Sequence, residues 1–147
     1  MSSETFVDPE RAAFEQFKSL PRDQPVEMLN LVRFRELALY PDGHPDAGEE
    51  VTGAEAYRRY SGQSAPIFAE VGGSVIWSAM PQLTLIGPSD EAWDVAFVAR
   101  YPTAAAFLQM VTSEAYRVAV VHRQAAVQTS RLIRTRPRTA PAHRQFG

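Results

Sequence analysis

The 147-residue chain has no cysteine, which excludes disulfides, thiolate metal sites and thiol nucleophiles. It has no apolar run of membrane length, and Met1–Asp8 lacks the basic region and apolar stretch of a secretory signal. Cytoplasm is therefore the expected compartment, with no membrane partner. Also lacking are a phosphate-binding glycine loop, a nucleophile elbow and a dinucleotide fingerprint. The glycines of EVGGSV have the spacing of none of these, and Gly72-Gly73 is better explained as a helix stop. No cofactor is implied. Lysine is nearly missing too, Lys18 being the only one, a bias that supports no functional claim.

What is present is ordinary for a globular domain: 45% hydrophobic residues, 22% charged, and a net charge of −2. That charge argues against nucleic acid as a partner. Its distribution is less even. No acidic residue follows Glu114, whereas Arg117, Arg123, Arg131, Arg134, Arg136, Arg138 and Arg144 all do. The plain reading of this basic strip is a solvated edge strand running into a tail.

Asp8-Pro9 is expected to open a first helix, with Asp8 accepting from its free amides and Pro21 ending it. Val26–Phe34 reads as a strand, and residues 35–51 as a long irregular loop of the kind that is functional or mobile. Thr52 and Glu55 fit a capping box for the next helix, which Pro66 should kink or split. Ser74–Ile86, interrupted near Pro81, and Trp93–Tyr101 read as strands joined in a hairpin by Gly87-Pro88-Ser89-Asp90. Thr103 caps a helix through Val111, Ser113 starts another through Val121, and Val127–Arg134 is the last strand. This gives one α+β domain: an amino-terminal helical extension (1–24), a ferredoxin-like βαββαβ core with a four-stranded antiparallel sheet (25–135), and a flexible tail (136–147).

Two helices cover one face of such a sheet, so the strands should alternate apolar with polar. They do not. Leu29 and Leu31 oppose Met28 and Val32, and Val95–Ala99 is apolar without a break. Either a second copy of the chain or the amino-terminal helix must cover the other face, and a two-fold homodimer is the commonest solution.

The stretches MLNLVRFRE, GAEAYRRYS, EVGGSVIW, FVARYPTAAAFLQM and TSEAYRVAVVHR resemble the uncharacterised bacterial family known as domain of unknown function 1330, of the dimeric α+β barrel superfamily, over about residues 25–135. The resemblance implies two sheets packed face to face and a small-molecule cavity in each subunit between sheet and helices. The superfamily includes cofactor-free monooxygenases, lactone isomerases and non-enzymatic stress proteins, so the fold alone does not choose an activity.

Eight residues are candidates for a site. Asn30 is an amide amid apolar neighbours, and Arg33 is the only cation of its strand, suited to a carboxylate. Tyr57 and Tyr60 are neighbours on one helix face. Trp77 and Trp93, each placed in a strand, could wall a pocket for a flat ligand. His122, at a helix end, is the candidate acid–base, with Arg123 beside it. Core packing, surface exposure and helix-end electrostatics are the structural alternatives for these residues. The loop residues Asp42, His44, Asp46, Glu49 and Glu50 match no metal-binding spacing, so no metal is expected. The resulting expectation is a homodimer binding a small, partly apolar ligand, with cofactor-free oxygenase or isomerase activity if it is an enzyme. A non-catalytic ligand-sensing or dimerisation module is the alternative.

Overall fold

A computed structural model describes residues 5–138. Along the chain run α1 (Arg11–Ser19), β1 (Val26–Phe34), α2 (Gly53–Glu70), β2 (Ser74–Ala79), β3 (Val95–Tyr101), α3 (Ala104–Val111), α4 (Glu114–Ala126) and β4 (Val127–Thr135). The strands form one antiparallel sheet in the order β2-β3-β1-β4, so the expected α+β, ferredoxin-like arrangement holds.

Strand register sorts the side chains onto two faces. Asn30 lies between Phe97 and Leu132, and Met28 between Ala99 and Arg134. Alternation then puts Val26, Met28, Asn30 and Val32 on one face with Phe97, Ala99 and Tyr101. This face takes the helices. Val26, Met28, Ala99 and Tyr101 pack with Ala104, Phe107 and Met110 of α3, while Val32 packs with Ala56 of α2 and Ala126 of α4. The opposite face carries Leu29, Leu31, Arg33, Val98, Arg131 and Ile133, with Trp77 beside Val98.

The first helix settles which of its two expected positions it takes. Phe17 packs into the helix-side core with its ring 5.0 Å from that of Phe107, and the Arg134 guanidinium lies over it. Helix α1 therefore belongs to the covered face. The other face stays open, with Trp77 and Ile133 about half exposed.

Several local expectations are corrected. Asp8 does not cap α1; Glu10 occupies the cap position with no side-chain bond, and Asp8 accepts instead from Gln124 at 3.1 Å. Pro66 does not split α2, which runs on to Glu70. Both Pro66 and Gly62, whose carbonyl loses its helical donor, face solvent, so the loss is tolerated. Helix α4 continues past Val121 to Ala126. Strand β2 ends at Ala79 rather than Ile86, and residues 80–94 are a connector rather than a tight turn. Within it Met80, Leu83, Leu85 and Ile86 are exposed, Ile86 to 93%. Trp93 lies in this connector, two residues before β3, with the Arg131 guanidinium over its ring. Of the expected tail, residues 139–147 lie outside the described residues.

The 35–51 loop is tied down along its length. Arg35 and Leu39 donate to the carbonyls of Ala126 and Ala125, and Ala38 to that of Val51, at 2.8–2.9 Å. Gly53 makes this seam possible: a β-carbon there would sit 2.0 Å from the Arg35 carbonyl oxygen. Thr52 caps α2 through its hydroxyl, as expected, but the Glu55 carboxylate turns to Arg58 and Arg59.

Candidate functional site

Between the covered face of the sheet and the helices lies a cavity of about 1280 Å³. Its floor is Met28, Asn30, Phe97 and Ala99 from the sheet. Helix α2 contributes Tyr57, Tyr60, Ser64 and Phe68, a run at intervals of three and four that forms one helical stripe. Helix α4 contributes Tyr116, Val120 and Arg123, also one stripe, and α1 closes a further side with Phe14 and Phe17. The amino-terminal extension is thus a wall of the cavity. No residue of the 35–51 loop lines it.

The wall is aromatic, with sparse polar groups. Tyr60 and Tyr116 pair through their hydroxyls at 2.8 Å. The rings of Tyr57 and Tyr60 are 5.4 Å apart, and Tyr57 also packs on Phe34. Burial pushes the Tyr57, Tyr101 and Tyr116 phenols upward, and the negative charge of neighbouring phenolates would push them further, so all stay protonated near neutrality. Asn30 donates to the Met28 carbonyl at 3.1 Å. Among the described residues, no protein group meets the Asn30 side-chain amide oxygen or the Tyr57 hydroxyl. Arg123 donates to the Val7 carbonyl and, at 3.1 Å, to the Ser130 hydroxyl, and pairs with no carboxylate among the described residues.

The eight candidates from sequence therefore divide. Asn30, Tyr57, Tyr60 and Arg123 converge on the cavity. Arg33 and Trp77 lie on the open face, Arg33 donating to the Asp90 carbonyl at 3.3 Å, and Trp93 sits beside the same face. His122 is buried on the far side of α4, away from the cavity. Its Nε2 lies 3.0 Å from Gln63 Nε2, within hydrogen-bond reach. Nδ1 faces the Tyr40 hydroxyl at 2.6 Å and the Asp46 carboxylate at 3.8 Å. Desolvation, helped by His44 and Arg59, holds the His122 pKa below its ordinary value despite Asp46. Arg59 grips Asp46 at 2.8 Å, and Tyr40 stacks on His44. This cluster fastens the 35–51 loop onto α2 and α4.

Tyr101, Tyr116, Phe17 and Arg134 also line the cavity and were missed as candidates. The spacing of Tyr116, Val120 and Arg123 was the available signal. It puts them on one face of α4 and His122, with Ala119 and Ala126, on another.

A comparison with curated proteins finds no match. Among solved structures, the RPA0582 protein of unknown function from Rhodopseudomonas palustris is 48% identical, with a TM-score of 0.85, covering 93% of this chain and all of that one. SnoaB, a cofactor-independent oxygenase from Streptomyces nogalater, is 14% identical with a TM-score of 0.50, covering 81% of this chain and 98% of that one. That likeness is one of fold. Residues 47–135 match the model of the domain of unknown function DUF1330, a narrower span than the 25–135 resemblance because it begins within the loop after β1. The chain belongs to the DUF1330 family.

Proposed function

We propose that the protein is a homodimer that binds a small, largely aromatic or apolar molecule between its sheet and its helices. The carrying observation is the cavity itself, in which the Asn30 side-chain amide oxygen and the Tyr57 hydroxyl, neither bonded to protein among the described residues, are set into an aromatic wall. Ligand pockets have this composition: a mostly apolar lining with a few placed polar groups.

Binding is favoured over proton-transfer catalysis. A general base works best with a pKa near the operating pH. The buried phenols of the lining are shifted away from it, and His122, the one buried imidazole among the described residues, is turned from the cavity. The oxygenase or isomerase reading keeps only the support of fold likeness.

Binding of 1-anilinonaphthalene-8-sulfonate, read by fluorescence, tests the cavity. Ser64→Trp, which projects an indole into it from α2, should reduce the bound probe at least threefold with the melting temperature within a few degrees of wild type. Undiminished binding in that variant would place the probe elsewhere and remove the support for the cavity.

A further inference from the structure

We infer that the ligand is an organic anion: an acidic group docked on Arg123, carried by a flat apolar body lying along Tyr57, Phe97 and Tyr116. This rests on the reading of the cavity as a ligand site and adds the ligand's chemical class.

The arginines around the cavity differ in what they have left to offer. Arg134 donates to the carbonyls of Phe17 and Pro21 and lies over the Phe17 ring, so it is committed to holding α1 in place. Arg131 is engaged by Glu91 and by the rings of Phe6 and Trp93. Arg117 is exposed on α4. Arg123 is partly buried and uses one N–H of each terminal nitrogen, on the Val7 carbonyl and the Ser130 hydroxyl. A guanidinium has five N–H donors in a fixed fork, so three remain.

Neither protein partner of Arg123 carries a charge. A cation drawn out of water without a counter-charge is costly, and an anion in the cavity would supply one. The acidic residues of the lining are Asp8 and Glu10, and neither forms an ion pair with Arg123 among the described residues.

The guanidinium is also held from behind. Ser130, which accepts from it, donates in turn to the Phe6 carbonyl at 2.8 Å. A donor fixed in this way loses little freedom when an anion arrives. Arg123 lies close enough to the Tyr57 and Tyr116 phenols to pull their ionisation downward against burial. An anion on Arg123 is therefore next to the aromatic wall, and the unmet Tyr57 hydroxyl is available as a further donor to it. Asn30 offers the opposite polarity, an acceptor suited to a hydroxyl on the ligand body.

Two probes of one shape separate the claims: 2-naphthoate and the neutral 2-naphthalenemethanol, titrated calorimetrically into the full chain. Wild type should bind the naphthoate at least tenfold more tightly. Arg123→Gln should bring that preference below threefold while leaving the alcohol's affinity within threefold of wild type. Arg123→Lys keeps the charge but not the fork, and should weaken naphthoate at least threefold; it decides the matter should the Gln variant fail to fold. Equal affinities for the two probes in wild type would overturn the anion and leave the cavity standing. A preference that survives Arg123→Gln, or naphthoate affinity undiminished in Arg123→Lys, would overturn the role of Arg123. Binding of neither probe would sink both the anion and the cavity reading.

Discussion

His122 and Arg123 are adjacent in sequence and have unrelated surroundings. One hundred degrees of helical rotation turns the first toward a polar clasp on the outer side of α4 and the second toward the cavity. Truncating His122 to Ala empties a buried site and strips Tyr40 and Gln63 of part-buried hydrogen bonds, and should cost about 2 kcal/mol, read as a lower melting temperature. Naphthoate affinity should stay within a factor of two. A large loss of binding with unchanged stability would return His122 to the site. The pH dependence has a definite sign. Because burial keeps the folded pKa below the ordinary 6.5, the unfolded chain takes up the proton first as pH falls. Stability is therefore at its full value above about pH 6.5 and is lost as pH falls toward the folded value. Chemical denaturation between pH 7.5 and 5 should show this loss in wild type and a smaller one in His122→Ala.

At the scale of elements, the seam between β1, the 35–51 loop and α2 depends on one glycine. Gly53→Ala drives a methyl group into the Arg35 carbonyl and close to that of Ala126, both of them backbone atoms that cannot swing aside. The expected cost is at least about 3 kcal/mol, far above the few tenths of an ordinary surface change, checked by urea denaturation. A melting temperature equal to wild type would mean that the seam can open without loss. The length of the loop points to a functional or mobile segment. Its backbone pairs with Val51 and Ala125 and its side chains clasp α2 and α4, so it is held in place along its length. The connector 80–94 failed as a strand for a related reason. The segment containing Leu83, Leu85 and Ile86 has strand-like composition, but β2 is an edge strand whose one neighbour is β3. Asp94 fixes the start of β3 by donating to the Val32 carbonyl and accepting from Phe34, so beyond Met80 there is nothing opposite to pair with.

At the scale of the whole molecule, the open sheet face and the connector expose Ile76, Trp77, Met80, Leu83, Leu85, Ile86 and Ile133 together. At roughly 100 Å² of apolar surface for each such side chain when fully exposed, and with three of them already half buried, they leave on the order of 500 Å² in water, more than half of the ~800 Å² per partner of a standard interface. Exposed apolar surface on that scale commonly marks an interaction site. The double substitution Leu85→Asp, Ile86→Asp, present twice in a two-fold pair, should raise the dimer dissociation constant by about 10³-fold or more, measured by sedimentation. A wild-type chain that sediments as a monomer at micromolar concentration would remove the homodimer from the proposed function.

By itself, the sequence determined the order of elements, most helix starts, and the apolarity of both sheet faces. Each of these is written in local periodicity: two residues for a strand, 3.6 for a helix, with Thr, Ser or Gly at the ends. The stripes of α2 and α4 that line the cavity were legible in the same way. Only the tertiary structure decided how each element is rotated against its neighbours. That rotation put α1 on the covered face, Arg33 and Trp77 on the open one, and turned Arg123 rather than His122 toward the cavity. Periodicity relates residues within one element, whereas the direction an element faces is settled by contacts with chain far away in sequence, as between Val7 and Arg123 or Tyr40 and His122.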